Sequence, residues 1–145
     1  MKHLQLLLMR SVLVTVLIFV SVIALADSIR LATTTSTYNS GLLDYLLNYY
    51  AQASDTEVQV ISVGTGKALR MGENGDVDLL MTHAPAAEAR LLDPYQVILV
   101  NPVRHQHANV KSAREFAQWM VSSEGQGIIG KFRINGEVLF VPSAL

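Results

Sequence analysis

"SIRLATTTSTYNSGLLDYLLNYYAQ", residues 28–52, is the stretch whose reading decides the fold. Its first seven residues, Ser28 to Thr34, form a strand candidate. In "NSGLLDYLLNYYAQ", residues 39–52, Leu42, Leu43, Leu46, Leu47, Tyr49 and Tyr50 recur at spacings of three and four, which predicts a helix. Asn39 or Ser40 is expected to cap that helix, and Asp44 falls in the first turn, where the helix dipole favours an acid. Between strand and helix lies "TTTSTYNS", residues 33–40, which holds four threonines and two serines and reads as a loop. Such a loop is either a polar connector with ordinary caps or a cluster of hydroxyl and backbone N–H donors aimed at a ligand.

The alternation continues along the chain. "EVQVISVG" (57–64) is rich in β-branched residues and reads as a strand, and "TGKALRMGENG" (65–75) as a short helix ended by glycine. "DVDLLMTHAP" (76–85) is a third strand stopped by Pro85, and "AAEARLL" (86–92) a brief helix. "YQVILVNP" (95–102) carries the strongest strand signal. "SAREFAQWMVSSEGQGIIGKF" (112–132) reads as one or two helices with Ser112 and Glu115 at capping-box spacing, and "INGEVLFVPSAL" (134–145) as a turn and a short extended piece. Strand followed by helix, repeated, predicts a three-layer α/β domain with a mainly parallel sheet.

Residues 1–26 stand apart. Lys2 and Arg10 precede an uncharged apolar run from Val12 to Leu25, and Ala24-Leu25-Ala26 supplies a small-x-small cleavage site, so the segment reads as a signal peptide. The expected mature domain is 27–145, periplasmic or secreted; the alternative is an uncleaved N-terminal anchor. Without Lys2 and Arg10 the net charge moves from −1 to about −3, which leaves no basic field for nucleic acid. Absence of Cys excludes disulfides, thiol catalysis and thiolate metal sites.

In an open α/β sheet, ligands collect where strand ends lead into helix N-termini. "TTTSTYNS" is one such place, and "GTGK" (64–67) is a second, offering backbone N–H groups at the same sheet edge. The second is not a P-loop, because Gly66-Lys67 would need Gly at Ile61 and Ser or Thr at Ala68. His83, in "MTHAP", ends the third strand and either reaches the same cleft or is structural. His105 and His107 have H-x-H spacing but no carboxylate at metal-site distance in sequence, so they read as surface-loop residues and no metal is expected. Asp76 and Asp78 read as a solvated turn and strand entrance. Ser36 and Ser40 lack a nucleophile elbow. No catalytic constellation appears, and the chain is not expected to be an enzyme.

Taken together, "TTTSTYNSGLLDYLL", "VISVGTGKALRMGENGDVDLLMTHAPAAEARLL" and "YQVILVNPVRHQHANVKSAREFAQWMVSSEGQGIIGKFRINGEVLFVPSA" resemble the periplasmic tungstate-binding proteins of ABC importers, which have the type II periplasmic binding protein fold. The resemblance implies that hydroxyls and amides around Thr34, Thr35, Ser36, Gly64 and Thr65 contact tungstate or molybdate, with His83 a possible further contact. It implies no cofactor beyond that oxyanion, and a cognate ABC permease in the inner membrane as partner. One departure is large. Family members have a second lobe that brings an Arg and an S-R-G-D-x-S-G-T-type segment to the other side of the anion, whereas here "HAPAAEARLL" runs through Asp93-Pro94 into "YQVILVNP". The chain thus resembles a single lobe with its second lobe excised at about residues 92–95. The expectation is a solute-binding component impaired by that loss; the alternative is a non-binding remnant or interaction module from an internally deleted gene.

Overall fold

The structure, a computed structural model, describes residues 27–83 and 95–144. Its elements alternate as the apolar periodicities dictate: β1 (Ser28–Thr34), α1 (Thr35–Asn39), α2 (Leu42–Ala53), β2 (Glu57–Val63), α3 (Thr65–Asn74), β3 (Leu79–His83), β4 (Tyr95–Leu99), α4 (Val110–Val121) and α5 (Ser123–Lys131). The expected signal peptide, the brief helix at 86–92 and the excision point at about 92–95 lie outside the described residues.

Four strands form one sheet in the order β2-β1-β3-β4. β1 pairs in parallel with β2 over its whole length, Ser28 opposite Glu57 to Thr34 opposite Val63, and in parallel with β3 through Leu31–Leu79, Ala32–Leu80 and Thr33–Met81. β4 returns antiparallel, with His83 opposite Tyr95 and Leu79 opposite Leu99. The expectation of a mainly parallel sheet therefore holds, with one antiparallel edge strand, a common variation in α/β sheets.

Two apolar clusters, one on each face, make the three layers. On one face Ile29, Leu31, Leu79 and Met81 of the sheet meet Leu43 and Leu46 of α2 and Phe116 of α4. Edge-to-face contact of Tyr50 with Phe116, ring centroids 4.8 Å apart, ties α2 to α4. On the opposite face Ala32 and Leu80 pack against Ala68 of α3 with Val77 and Val100. Alternation of side chains along each strand supplies both clusters from the same sheet.

Four local expectations are corrected. "TTTSTYNS" is not a loop: Thr33 and Thr34 complete β1, and Thr35–Asn39 is a short helix of its own. The cap of α2 is Gly41 at φ 76, not Asn39 or Ser40, because α1 has already used that segment; Ser40 Oγ still accepts from the Leu42 amide at 3.3 Å. α4 begins two residues earlier than Ser112, with Asn109 as its cap, so the capping box does not form; Ser112 is buried and Glu115 pairs with Lys111. Asp78 is not solvated. It is 3% exposed, and its carboxylate accepts from the amides of Arg30 and Asn109, each at 2.7 Å. A buried carboxylate needs such partners, and here they join β1, β3 and the α4 cap at one point.

Candidate functional site

Parallel pairing of β1 and β2 in register brings their carboxyl ends side by side, Thr34 opposite Val63. A helix starts at each end, α1 at Thr35 and α3 at Thr65, so the two expected loops do meet at one sheet edge. β3 runs parallel to β1 and ends at His83 on the same edge.

Thr34 and the other candidates play different parts. Thr34 is 4% exposed, and its hydroxyl caps α1: it accepts from the Thr37 amide at 3.4 Å and lies 2.7 Å from Thr37 Oγ1 and 3.1 Å from Ser36 Oγ. That hydroxyl shapes the first turn of α1 and is enclosed. Thr33 is buried too, with its hydroxyl donating to the Met81 carbonyl at 3.0 Å, which locks β1 to β3. Thr35 and Ser36, by contrast, are exposed, as are Gly64 and Thr65.

Gly64 is the most informative of these. Its φ of −67° and ψ of 148° suit any residue, and a Cβ built there meets nothing within 4 Å among the described residues. Neither backbone conformation nor packing requires glycine, so its effect is to leave the space above the first turn of α3 open. No side chain caps α3; the Gly64 carbonyl accepts from Lys67 and Ala68, and the amides at the start of the turn have no acceptor within the helix. Neither α1 nor α3 carries an acid in its first turn, whereas α2 has Asp44 and α5 has Glu124. The positive ends of the two helices at this edge are thus not neutralised from within.

Arg70 adds a full charge that sequence reasoning missed. Its Nη1 lies 3.7 Å from where a Cβ on Gly66 would sit, so the guanidinium folds back over the first turn of α3. The i,i+4 spacing of Gly66 and Arg70 was the available signal.

His105 and His107 belong elsewhere. Their Nε2 atoms sit 3.0 Å from the Glu73 carbonyl and 2.9 Å from the Gly75 carbonyl, so ring N–H groups donate to the C-terminal end of α3 and pin the 101–108 loop there. Among the described residues no cluster of His, Cys, Asp or Glu is arranged to hold a metal ion.

The chain matches a known family. A model of the PBP superfamily domain matches residues 24–107, more than half of the chain. The chain belongs to the PBP superfamily. A tungstate-binding protein, TupA, of Peptoclostridium acidaminophilum is 56% identical over 61 residues, 42% of this chain and 21% of that protein. TupA of Campylobacter jejuni is 44% identical over 57 residues, 39% of this chain and 21% of its own length. The chain therefore spans about a fifth of the length of the curated relatives it matches. A solved tungstate-binding TupA from Desulfovibrio alaskensis superposes with a TM-score of 0.77 at 22% identity, covering 83% of this chain and 100% of that chain, a likeness of fold. The mixed, mostly parallel sheet flanked by helices is that of the PBP superfamily.

Proposed function

We propose that this chain is an oxyanion half-site, the solute-binding lobe of a tungstate or molybdate ABC importer, and that Thr35, Ser36, Gly64 and Thr65 donate to the anion. The observation that carries the reading is the juxtaposition of two uncapped-by-acid helix starts at the ends of neighbouring parallel strands, with Gly64 leaving open space between them. A tetrahedral dianion is well matched by many neutral donors converging from helix N-termini, without an obligatory full countercharge. Thr34 serves by shaping the turn that aims Ser36. Arg70 draws the anion electrostatically, and His83 ends β3 within the same edge. Names of the relatives support tungstate as the ligand, and an importer permease as the partner follows from the same reading.

A single lobe has donors on one side of the ion only. Water remains on the other side, where exposed polar contacts are screened and individually weak. Binding is therefore expected to be weak, with a Kd of roughly millimolar, about 4 kcal/mol.

Thermal shift of the purified chain with tungstate, molybdate, sulfate and phosphate tests the proposal. At about ten times Kd the stabilisation is about 1.4 kcal/mol, a rise in Tm of roughly 5 °C. Tungstate and molybdate should give it, and Gly64→Val, which fills the open space without altering the strand register, should remove it. A folded chain that no oxyanion stabilises would return the reading to its alternative, a remnant or interaction module without ligand.

A further inference from the structure

On the face opposite α3 lies a cavity of about 730 Å³ that shares no residue with the oxyanion edge. Its floor is Met81, Val97 and Leu99 of the sheet, one wall is α4, and the C-terminal segment from Leu139 to Ala144 forms the other. That segment is fixed in place: the buried Gln126 donates Nε2 to the Met120 carbonyl at 2.9 Å and accepts from the Ser143 and Ala144 amides at 3.0 and 3.2 Å. Phe140 packs on Tyr95 and Phe132, ring centroids 5.6 and 5.9 Å away. The space between is thus bounded by held walls, and its size is that of a small-molecule site.

Chemistry of the lining is one-sided. Along α4, Arg114, Ala117, Gln118 and Val121 fall at i, i+3, i+4 and i+7 and present a single stripe to the cavity: a guanidinium at one end, the small Ala117 and the neutral amide of Gln118 in the middle, and the apolar Val121 at the other end. Arg114 belongs to neither ion pair seen among the described residues, Arg30 with Asp78 or Lys111 with Glu115. Among the described residues no carboxylate lines the cavity. One uncompensated cation at the end of an apolar groove complements a molecule with one anionic head and one apolar chain.

We infer that this cavity is a binding site for a free single-chain carboxylate amphiphile of the fatty-acid class, its head on Arg114 and its chain against Val97, Leu99, Val121 and Phe140. The guanidinium supplies a charge-assisted, two-pronged contact that an alcohol head cannot use fully, and the chain gains by leaving water.

Isothermal titration of the purified chain with dodecanoate and dodecanol, below micelle formation, tests this. Expected are saturable one-to-one binding of dodecanoate and about tenfold weaker binding of dodecanol, the ratio that one charge-assisted hydrogen bond supplies. Arg114→Gln, at an exposed position, should bring dodecanoate down to the level of dodecanol and leave dodecanol unchanged. Ala117→Phe should fill the groove and abolish both, with circular dichroism checking that the variant is folded. Equal binding of the two probes to the unaltered chain, or dodecanoate affinity indifferent to Arg114→Gln, would overturn the inference. So would sedimentation showing that a second copy closes the groove and excludes dodecanoate, or binding only to phosphatidylcholine vesicles and not to the free acid.

Discussion

At the scale of single residues, Asp78 is the side chain on which the architecture depends most. Its two oxygens serve amides 48 and 31 residues away in the chain, and its burial leaves no water to replace it. Asp78→Ala would strand two amides, so the expected loss is about 2–4 kcal/mol, read from the midpoint of urea unfolding. A loss within 0.5 kcal/mol would mean that water reaches the pocket and that the carboxylate is not a junction. None of this was legible in "GENGDVD", which looks like a turn. A turn aspartate becomes a core aspartate only because two distant amides arrive beside it, and spacing along the chain does not encode that. The same holds for Thr34. Its position at the strand end was readable, but the commitment of its hydroxyl to capping depended on α1 starting one residue later.

Elements were the most readable level, because β2 is a β-branched run and α2 carries an apolar stripe, and those periods reflect backbone geometry. β1, β2 and α3 lie where the patterns put them, to within a residue. Caps were less readable, since Asn109 and Gly41 were chosen by what precedes each helix in space and not by the nearest Ser or Glu. The joint between α4 and α5 shows how tight such choices are. Ser122 both ends α4 and caps α5, accepting from the Gly125 amide at 3.2 Å, and this sharp turn drives Gly125 against the end of α4. A Cβ there would run into the Trp119 and Met120 carbonyls, which are backbone and have no rotamer to yield. Gly125→Ala should cost about 1–3 kcal/mol, whereas Gly127→Ala, in the same helix with nothing within 4 Å, should be neutral or slightly stabilising. Thermal unfolding of the two variants side by side measures the difference; equal Tm values would contradict the close approach.

For the molecule as a whole, the decisive contacts tie the start of the described chain to its later third. Asp27 accepts from Ser112 Oγ and from Asn109 Nδ2, the latter at 2.6 Å, across a separation of more than eighty residues. Those hydrogen bonds, Ser112 first, together with the nearby Lys111 charge, hold the Asp27 carboxyl below its ordinary value of 3.8. A carboxylate depressed on folding adds stability that is present above 3.8 and is lost as pH falls through the lowered value. The advantage of the native chain over Asp27→Asn, measured by urea unfolding, should be full at pH 7 and shrink as pH drops below 3.8. A difference that stays constant into acid would show that Asn satisfies the clamp equally well. At this scale the meeting of the two helix starts followed from strand–helix alternation, but their register and the apolar cavity did not. Both are products of packing among segments far apart in sequence.

The clamp also bears on the order of events during synthesis. β1 is internal to the sheet and must wait for β2 and β3, and the face it shares with α2 is only partly covered until α4 and α5 arrive. Residues 27–100 alone would hold the strands with α2 and α3 but without α4 and α5, and Asp27 without Ser112. Covering of that face is thus a long-range step, slower than helix formation by the loop entropy it must overcome. Until α4 and α5 are in place, Ile29, Leu31, Leu79 and Met81 have only α2 against them, and Phe116 is the side chain whose arrival completes that layer.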